Sequence, residues 1–130
     1  MSLNNPLANV LSFIQNYERL GKKDLITKNN SKLIRKILEI MQIEGYLGSF
    51  EEIKDSKGDL LKINLLGNIN KTNVIRPSFQ IKLNEFEKFE KRYLPAKDFG
   101  ILIISTSKGL MTHNEAKEKH LGGKLLSFCY

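Results

Sequence analysis

The sequence predicts two small folded parts in one chain. Residues 1–66 read as an α/β domain of order α-β-α-β-β, and residues 67–130 as a mostly β domain with a short helix. Three observations lead there. The first half holds two stretches with apolar residues at helical spacing, each followed by strand-like runs. A turn-rich patch, Gly67-Asn68-Ile69-Asn70-Lys71-Thr72-Asn73, marks the change of half. The second half centres on Gly100-Ile101-Leu102-Ile103-Ile104, an apolar run that suits a strand buried on both faces.

In the first half, Pro6 suits the first turn of a helix with Asn5 as its N-cap. Leu7, Val10, Leu11, Ile14 and Tyr17 then recur at helical spacing, and Gly21 marks the stop. Leu25 to Lys28 is a short strand. Ser31 caps a second helix with Ile34, Ile37, Leu38 and Met41 on its apolar face and Lys32, Arg35 and Lys36 elsewhere. Gly45 ends it. Tyr46 to Ile53 and Leu60 to Leu66 form a hairpin around Asp55-Ser56-Lys57-Gly58. Two helices on one small sheet follow as the simplest packing.

In the second half, Val74 to Leu83 reads as short strands interrupted at Pro77. Residues 84–98 are densely charged, with Phe86, Phe89 and Tyr93 at helix-like intervals and Pro95 as the stop. After the central strand comes a connection, Ser105-Thr106-Ser107-Lys108-Gly109. Thr112 and Glu115 then have the spacing of a capping box for a helix of about two turns. Leu125 to Tyr130 closes the chain as a strand.

Bulk properties narrow the function. At 41% apolar residues the chain can bury a core. It lacks an uninterrupted apolar window long enough for a membrane span and a basic-then-apolar leader layout, so membrane insertion and secretion are not expected. The single cysteine, Cys129, lies in an apolar strand and reads as a small core residue. The formal charge of +7 favours a polyanionic partner. Residues 67–130 carry 11 basic against 6 acidic residues, and residues 1–66 carry 10 against 8.

The Ser105–Gly109 segment admits three readings. It is an ordinary strand-to-helix connection, since Ser, Thr and Gly are common there. It is an acylating pair, since Ser105 and Lys108 have Ser-x-x-Lys spacing. That chemistry needs a helix start and partner motifs that the chain lacks, so no catalytic residue is expected. Or it binds RNA, because three hydroxyls, an ammonium and a glycine stand at the end of a stiff strand. Gly109, Gly122 and Gly123 suit turns, and also close approach of the backbone to ribose-phosphate. No nucleotide-binding glycine pattern can be assembled. His113 and His120 have no clustered ligands around them, so neither a metal nor a cofactor is expected. Glu85, Glu87 and Glu90 alternate with Lys88, Lys91 and Arg92, which points to surface ion pairs rather than acid-base catalysis. Phe79, Phe86, Phe89 and Tyr93 could stack on bases, although aromatics at such spacing belong more often to a core.

The run Gly100–Thr112, then Asn114-Glu115-Ala116-Lys117 and Leu121-Gly122-Gly123-Lys124-Leu125-Leu126, resembles the signature of the small-subunit ribosomal protein S-eight family. Asn5-Pro6-Leu7-Ala8-Asn9 is similar to that family's opening, with asparagine at both acidic positions. Ser31-Lys32-Leu33-Ile34 and Gly45-Tyr46-Leu47 extend the likeness over nearly the whole chain. The block from Phe86 to Pro95, and Lys124 where bacterial members usually carry Glu, look like the archaeal and eukaryotic branch. The resemblance implies a structural ribosomal protein that binds an irregular helix in the central domain of small-subunit rRNA early in assembly. It implies a cytoplasmic location within the small subunit, neighbouring ribosomal proteins as partners, and in some members binding to the protein's own operon mRNA. It assigns RNA binding to Ser105, Thr106, Ser107, Lys108, Gly109, Gly122, Gly123 and Lys124. Secondary contacts are expected at Asn5, Asn9, Ser31, Lys32, Arg35 and Arg76. The rival classes are a small hydrolase or transferase using Ser105, and a protein-interaction module with a basic face.

Overall fold

Helix α1 spans Pro6–Arg19 and buries Leu7, Ala8, Val10, Leu11 and Ile14 along one stripe. The computed structural model describes residues 6–56, 58–75, 80–96 and 99–130; the expected cap Asn5 and the positions Arg76, Pro77 and Phe79 lie outside them. Tyr17, expected on the buried stripe, is exposed instead together with Phe13 and Leu20. Strand β1 (Asp24–Thr27) alternates exposed and buried residues. Helix α2 (Lys32–Ile43) begins where the Ser31 hydroxyl accepts a 3.2 Å hydrogen bond from the Ile34 amide. Its buried face is Ile34, Ile37, Leu38, Ile40 and Met41.

Strands β2 (Leu47–Ile53) and β3 (Leu60–Leu65) complete an antiparallel sheet of order β1-β3-β2. Leu25, Leu61, Ile63 and Leu65 face the core, whereas Ile26 and Lys62 lie on the exposed face. Helix α1 lies against β1 and α2 against β2. This is the α-β-α-β-β order that the sequence predicts.

The chain divides into two compact units after Thr72, six residues beyond the expected boundary at 66/67. The reason is local. The Gly67 and Ile69 amides donate to the two carboxylate oxygens of Glu18, at 3.1 and 2.9 Å. The Thr72 amide donates to Gln15 Oε1 at 3.0 Å. Residues 67–72 of the turn-rich patch are thereby tied to α1 and belong with the first unit.

The second unit begins within β4 (Thr72–Val74) and contains β5 (Gln80–Ile81), a single 3-10 turn (Leu83–Glu85) and α3 (Phe86–Tyr93). Then come β6 (Ile101–Thr106), β7 (Gly109–Thr112), α4 (His113–Glu118) and β8 (Gly123–Cys129). Its sheet runs β4-β8-β6-β7, with β5 also paired to β8. It is mostly β with the short helix α4, and the charged stretch adds α3. All four residues from Ile101 to Ile104 are buried. Leu102 and Ile104 join a cluster with Phe86 and Phe89 of α3, Met111, Ala116 of α4, Leu125 and Phe128. Ile101 and Ile103 point to the other face by strand alternation. Phe86 and Phe89 are therefore core, and Tyr93 stacks on Phe128 with ring centroids 5.6 Å apart.

His113 closes the sheet where the chain leaves β7. Pairing between β6 and β7 ends at Ile103 and Thr112. The next amide of β6, that of Leu102, donates to His113 Nδ1 at 3.1 Å. An accepting Nδ1 leaves the ring proton on Nε2, which lies 3.2 Å from Glu90 Oε1. Lys117 also pairs with Glu90. Glu90 thus turns inward, in contrast to the surface pairing expected for it, because a buried imidazole N–H needs an acceptor. Glu87 does pair along the surface with Lys91, at 3.8 Å.

Candidate nucleic-acid interface

The buried strand β6 carries Ser105 and Thr106 out of the core without a break in its pairing to β7. Ser105 stands between Leu110 of β7 and Lys124 of β8, and Thr106 is opposite Gly109. The segment expected to connect strand to helix is therefore the tip of a hairpin, and a strand that the sequence reading missed, β7, precedes the helix. Only Ser107 and Lys108 turn. Neither has a positive φ, while Gly109 has φ +109°. A primed turn is thus excluded, and glycine supplies the reversal in the manner of a turn followed by a glycine bulge. That glycine, three residues beyond Thr106, was the available hairpin signal.

The hydroxyls do different work. Thr106 Oγ1 donates to the Gly109 carbonyl at 2.8 Å and accepts from the Lys108 amide at 3.1 Å, so it holds the turn. The Ser105 and Ser107 hydroxyls have no hydrogen-bond partner among the described residues. The side chains of Lys108 and Lys124 are exposed and without an ion-pair partner among those residues. These four groups are the donors and acceptors that an outside ligand can meet.

A one-residue irregularity decides which residue faces Ser105. Ile103 pairs with Ser127, but Ile104 pairs with Leu125, so Leu126 is extra. Continued regular pairing would have set Leu125 opposite Ser105. The bulge sets Lys124 there instead. Gly123 lies so close to β6 that a Cβ would fall 2.3 Å from the Ser105 carbonyl oxygen. A Cβ on Gly122 would fall 2.6 Å from the Ile81 carbonyl oxygen. The paired glycines are thus required by strands packing on strands, whatever approaches from outside.

The structure brings Ser105, Thr106, Ser107, Lys108, Gly109, Gly123 and Lys124 together at one end of the sheet, with Gly122 beside β5. The residues weighed as secondary contacts lie differently. Asn9 and Lys32 are exposed on α1 and at the start of α2. Ser31 is occupied as the α2 cap. Arg35 is held by Asn30 and, at 3.8 Å, by Glu52. Asn5 and Arg76 lie outside the described residues. With the boundary after Thr72, Lys71 joins the first unit and the formal charges become +3 and +4. Charge alone then hardly separates the two units, and the unpartnered hydroxyls become the sharper guide.

The acylating reading has no geometric support. Ser105 is in a strand and Lys108 in a turn, whereas that pair needs a helix to bring the amine round to the hydroxyl. Among the described residues no three His, Cys, Asp or Glu side chains gather as a metal site. A groove of about 580 Å³ beside α3 is lined by Leu83, Phe86, Glu90, Leu94 and Lys117 among others, and by none of the hairpin residues. Its ionic groups are already engaged with each other and with His113. No helix among the described residues is long and apolar enough to cross a membrane. A family model described as ribosomal protein S8 matches residues 5–130 of this chain.

Proposed function

We propose that this chain, which belongs to the ribosomal protein S8 family, reads an irregular helix in the central domain of small-subunit rRNA through the β6–β7 hairpin and the start of β8. Members of that family are structural proteins of the small ribosomal subunit that bind rRNA, not enzymes. The observation that carries the finer reading is the meeting, at the end of the buried strand β6, of Ser105 and Ser107 hydroxyls with Lys108 and Lys124 ammonium groups, all without a polar partner among the described residues. A regular A-form helix hides its base edges in a deep groove. Short hydroxyls on a narrow hairpin suit a widened groove and displaced bases, while lysines meet the backbone. The family match also supports neighbouring ribosomal proteins as partners and cytoplasmic residence in the small subunit, while the archaeal and eukaryotic branch and binding to the operon mRNA rest on the motif resemblance. Footprinting of the purified chain on small-subunit rRNA tests this reading. Protection confined to an internal-loop region of the central domain supports it, and diffuse protection refutes it.

Two sets of substitutions divide specificity from general affinity. Ser105→Ala or Ser107→Ala is expected to lose about 1–3 kcal/mol on the footprinted RNA and almost nothing on an unrelated duplex. Equal weakening on both RNAs, measured by filter binding, would remove the hairpin from the readout. Lys108→Gln and Lys124→Gln should each reduce the log–log salt slope of binding by roughly 0.7–0.9. If the slope survives both changes but flattens with Lys32→Gln and Arg35→Gln, the RNA sits on the first unit instead.

A further inference from the structure

Three helices of this chain end in the same motif, and only one ends it with a side chain. After α1, the Gly21 amide donates to the Glu18 carbonyl at 3.1 Å and Lys22 to Tyr17 at 3.0 Å. After α2, Gly45 donates to Gln42 at 3.0 Å and Tyr46 to Met41 at 2.9 Å. After α4, His120 donates to Lys117 at 3.2 Å and Leu121 to Ala116 at 2.9 Å. The pivotal residue is left-handed in each case, at φ +75° for Gly21, +85° for Gly45 and +56° for His120. Glycine enters that region freely, but a Cβ crowds the neighbouring carbonyl. Among the described residues, His120 is the only non-glycine with a positive φ.

No hydrogen bond or ion pair of its side chain among the described residues accounts for this choice. The His120 side chain is exposed and has no hydrogen-bond or ion-pair partner among the described residues. It gains neither burial nor a polar partner among the described residues to offset the left-handed backbone. In sequence, however, it directly precedes the β8 end of the candidate interface. Gly122 follows two residues later, Gly123 packs on the Ser105 carbonyl, and Lys124 faces Ser105. Lys119 and Lys124 flank it in sequence, both exposed. Exposed donors without acceptors among them suit phosphate oxygens. A strained residue held in place at such a site is more economically explained by binding than by folding.

We propose that His120 is a further RNA contact, with its imidazole donating a hydrogen bond to the ribose-phosphate backbone beside the hairpin. The left-handed end of α4 is the device that presents it. This rests on the placement of RNA at the hairpin given above. It differs from the lysine contacts in being directional and conformationally restricted, so it contributes to register more than to salt-sensitive attraction.

The test uses the full chain and an rRNA fragment spanning the footprinted region. His120→Gly and His120→Asn are compared with Ser107→Ala and Lys124→Gln for RNA affinity and melting temperature. His120→Gly should melt at or above the parent, since the steric strain is gone, yet bind about fivefold more weakly. His120→Asn tolerates the left-handed region and keeps a donor, so it should bind within about twofold of the parent. If His120→Gly binds like the parent while Lys124→Gln is weakened, the His120 contact is refuted and the hairpin reading stands. A markedly lower melting temperature for His120→Gly overturns the contact too, by giving the ring a folding role. If neither Ser107→Ala nor Lys124→Gln weakens binding, the hairpin reading itself fails and the His120 contact with it.

Discussion

Replacing Ile103 with alanine is expected to cost roughly 2–5 kcal/mol of stability and also to weaken RNA binding, although Ile103 touches no ligand. Its side chain is 1% exposed. It sits in the middle strand of the sheet, opposite Thr112 on one side and Ser127 on the other. Removing its outer carbons leaves a cavity that paired strands on both sides cannot close. The loss is a large share of the roughly 5–15 kcal/mol that holds a small domain folded. Ser105 lies two residues further along the same strand and the same face. A loosened β6 therefore lets the Ser105 and Ser107 hydroxyls sample more positions, and the ordering cost moves to the binding step. Unfolding by urea and RNA binding should be measured on one Ile103→Ala sample, at a temperature where it stays folded. Lower stability with parental affinity would mean that RNA itself orders the hairpin, and that the stiff strand is not what prepares the site.

Gly123→Ala should damage the site by a different route. A Cβ there would lie 2.3 Å from the Ser105 carbonyl oxygen and 3.0 Å from Ile104 Cγ2. The nearer neighbour is backbone, so β8 and β6 must part. Overpacking of this kind costs about 1–3 kcal/mol. The displacement falls between Ser105 and Lys124, so affinity for RNA should fall further than stability alone dictates. Gly109→Ala is the useful contrast. Nothing lies within 4 Å of a Cβ there, and the penalty comes only from its φ of +109°. If Gly123→Ala melts and binds as the parent does, the two strands are not in such close contact. If both alanine variants lose RNA affinity equally, the hairpin tip matters more than the Ser105–Lys124 spacing.

Much of the fold could be read from short-range signals. Pro6, Ser31, Gly21 and Gly45 mark helix ends through backbone chemistry confined to a few residues, and the helices begin or stop there. Thr112 caps α4 through a 3.3 Å hydrogen bond from Glu115, three residues away as its spacing predicts. The run from Ile101 to Ile104 is apolar on both faces and is buried on both. The errors lie where short-range cues were ambiguous. Residues 105–109 contain the residue types common to hairpins and to strand-helix connections alike, so their composition does not distinguish β7 from a loop. Glu90 and His113 carried ordinary charge and spacing, yet they meet in the interior across 23 residues of sequence.

The sequence by itself determined the element order, the stiffness of β6 and the hydroxyl-rich end of that strand, because periodicity and capping act within one or two turns of chain. Only the tertiary structure decided which of those groups remain available to a ligand. Arg35 is spent on Glu52 and Glu90 on the buried His113, each partner distant in sequence. Lys124, and not Leu125, faces Ser105 because a single extra residue in β8 shifts the register. Pairing register and hydrogen-bond partners are set between segments distant in sequence, and a one-residue slip exchanges the faces of a strand.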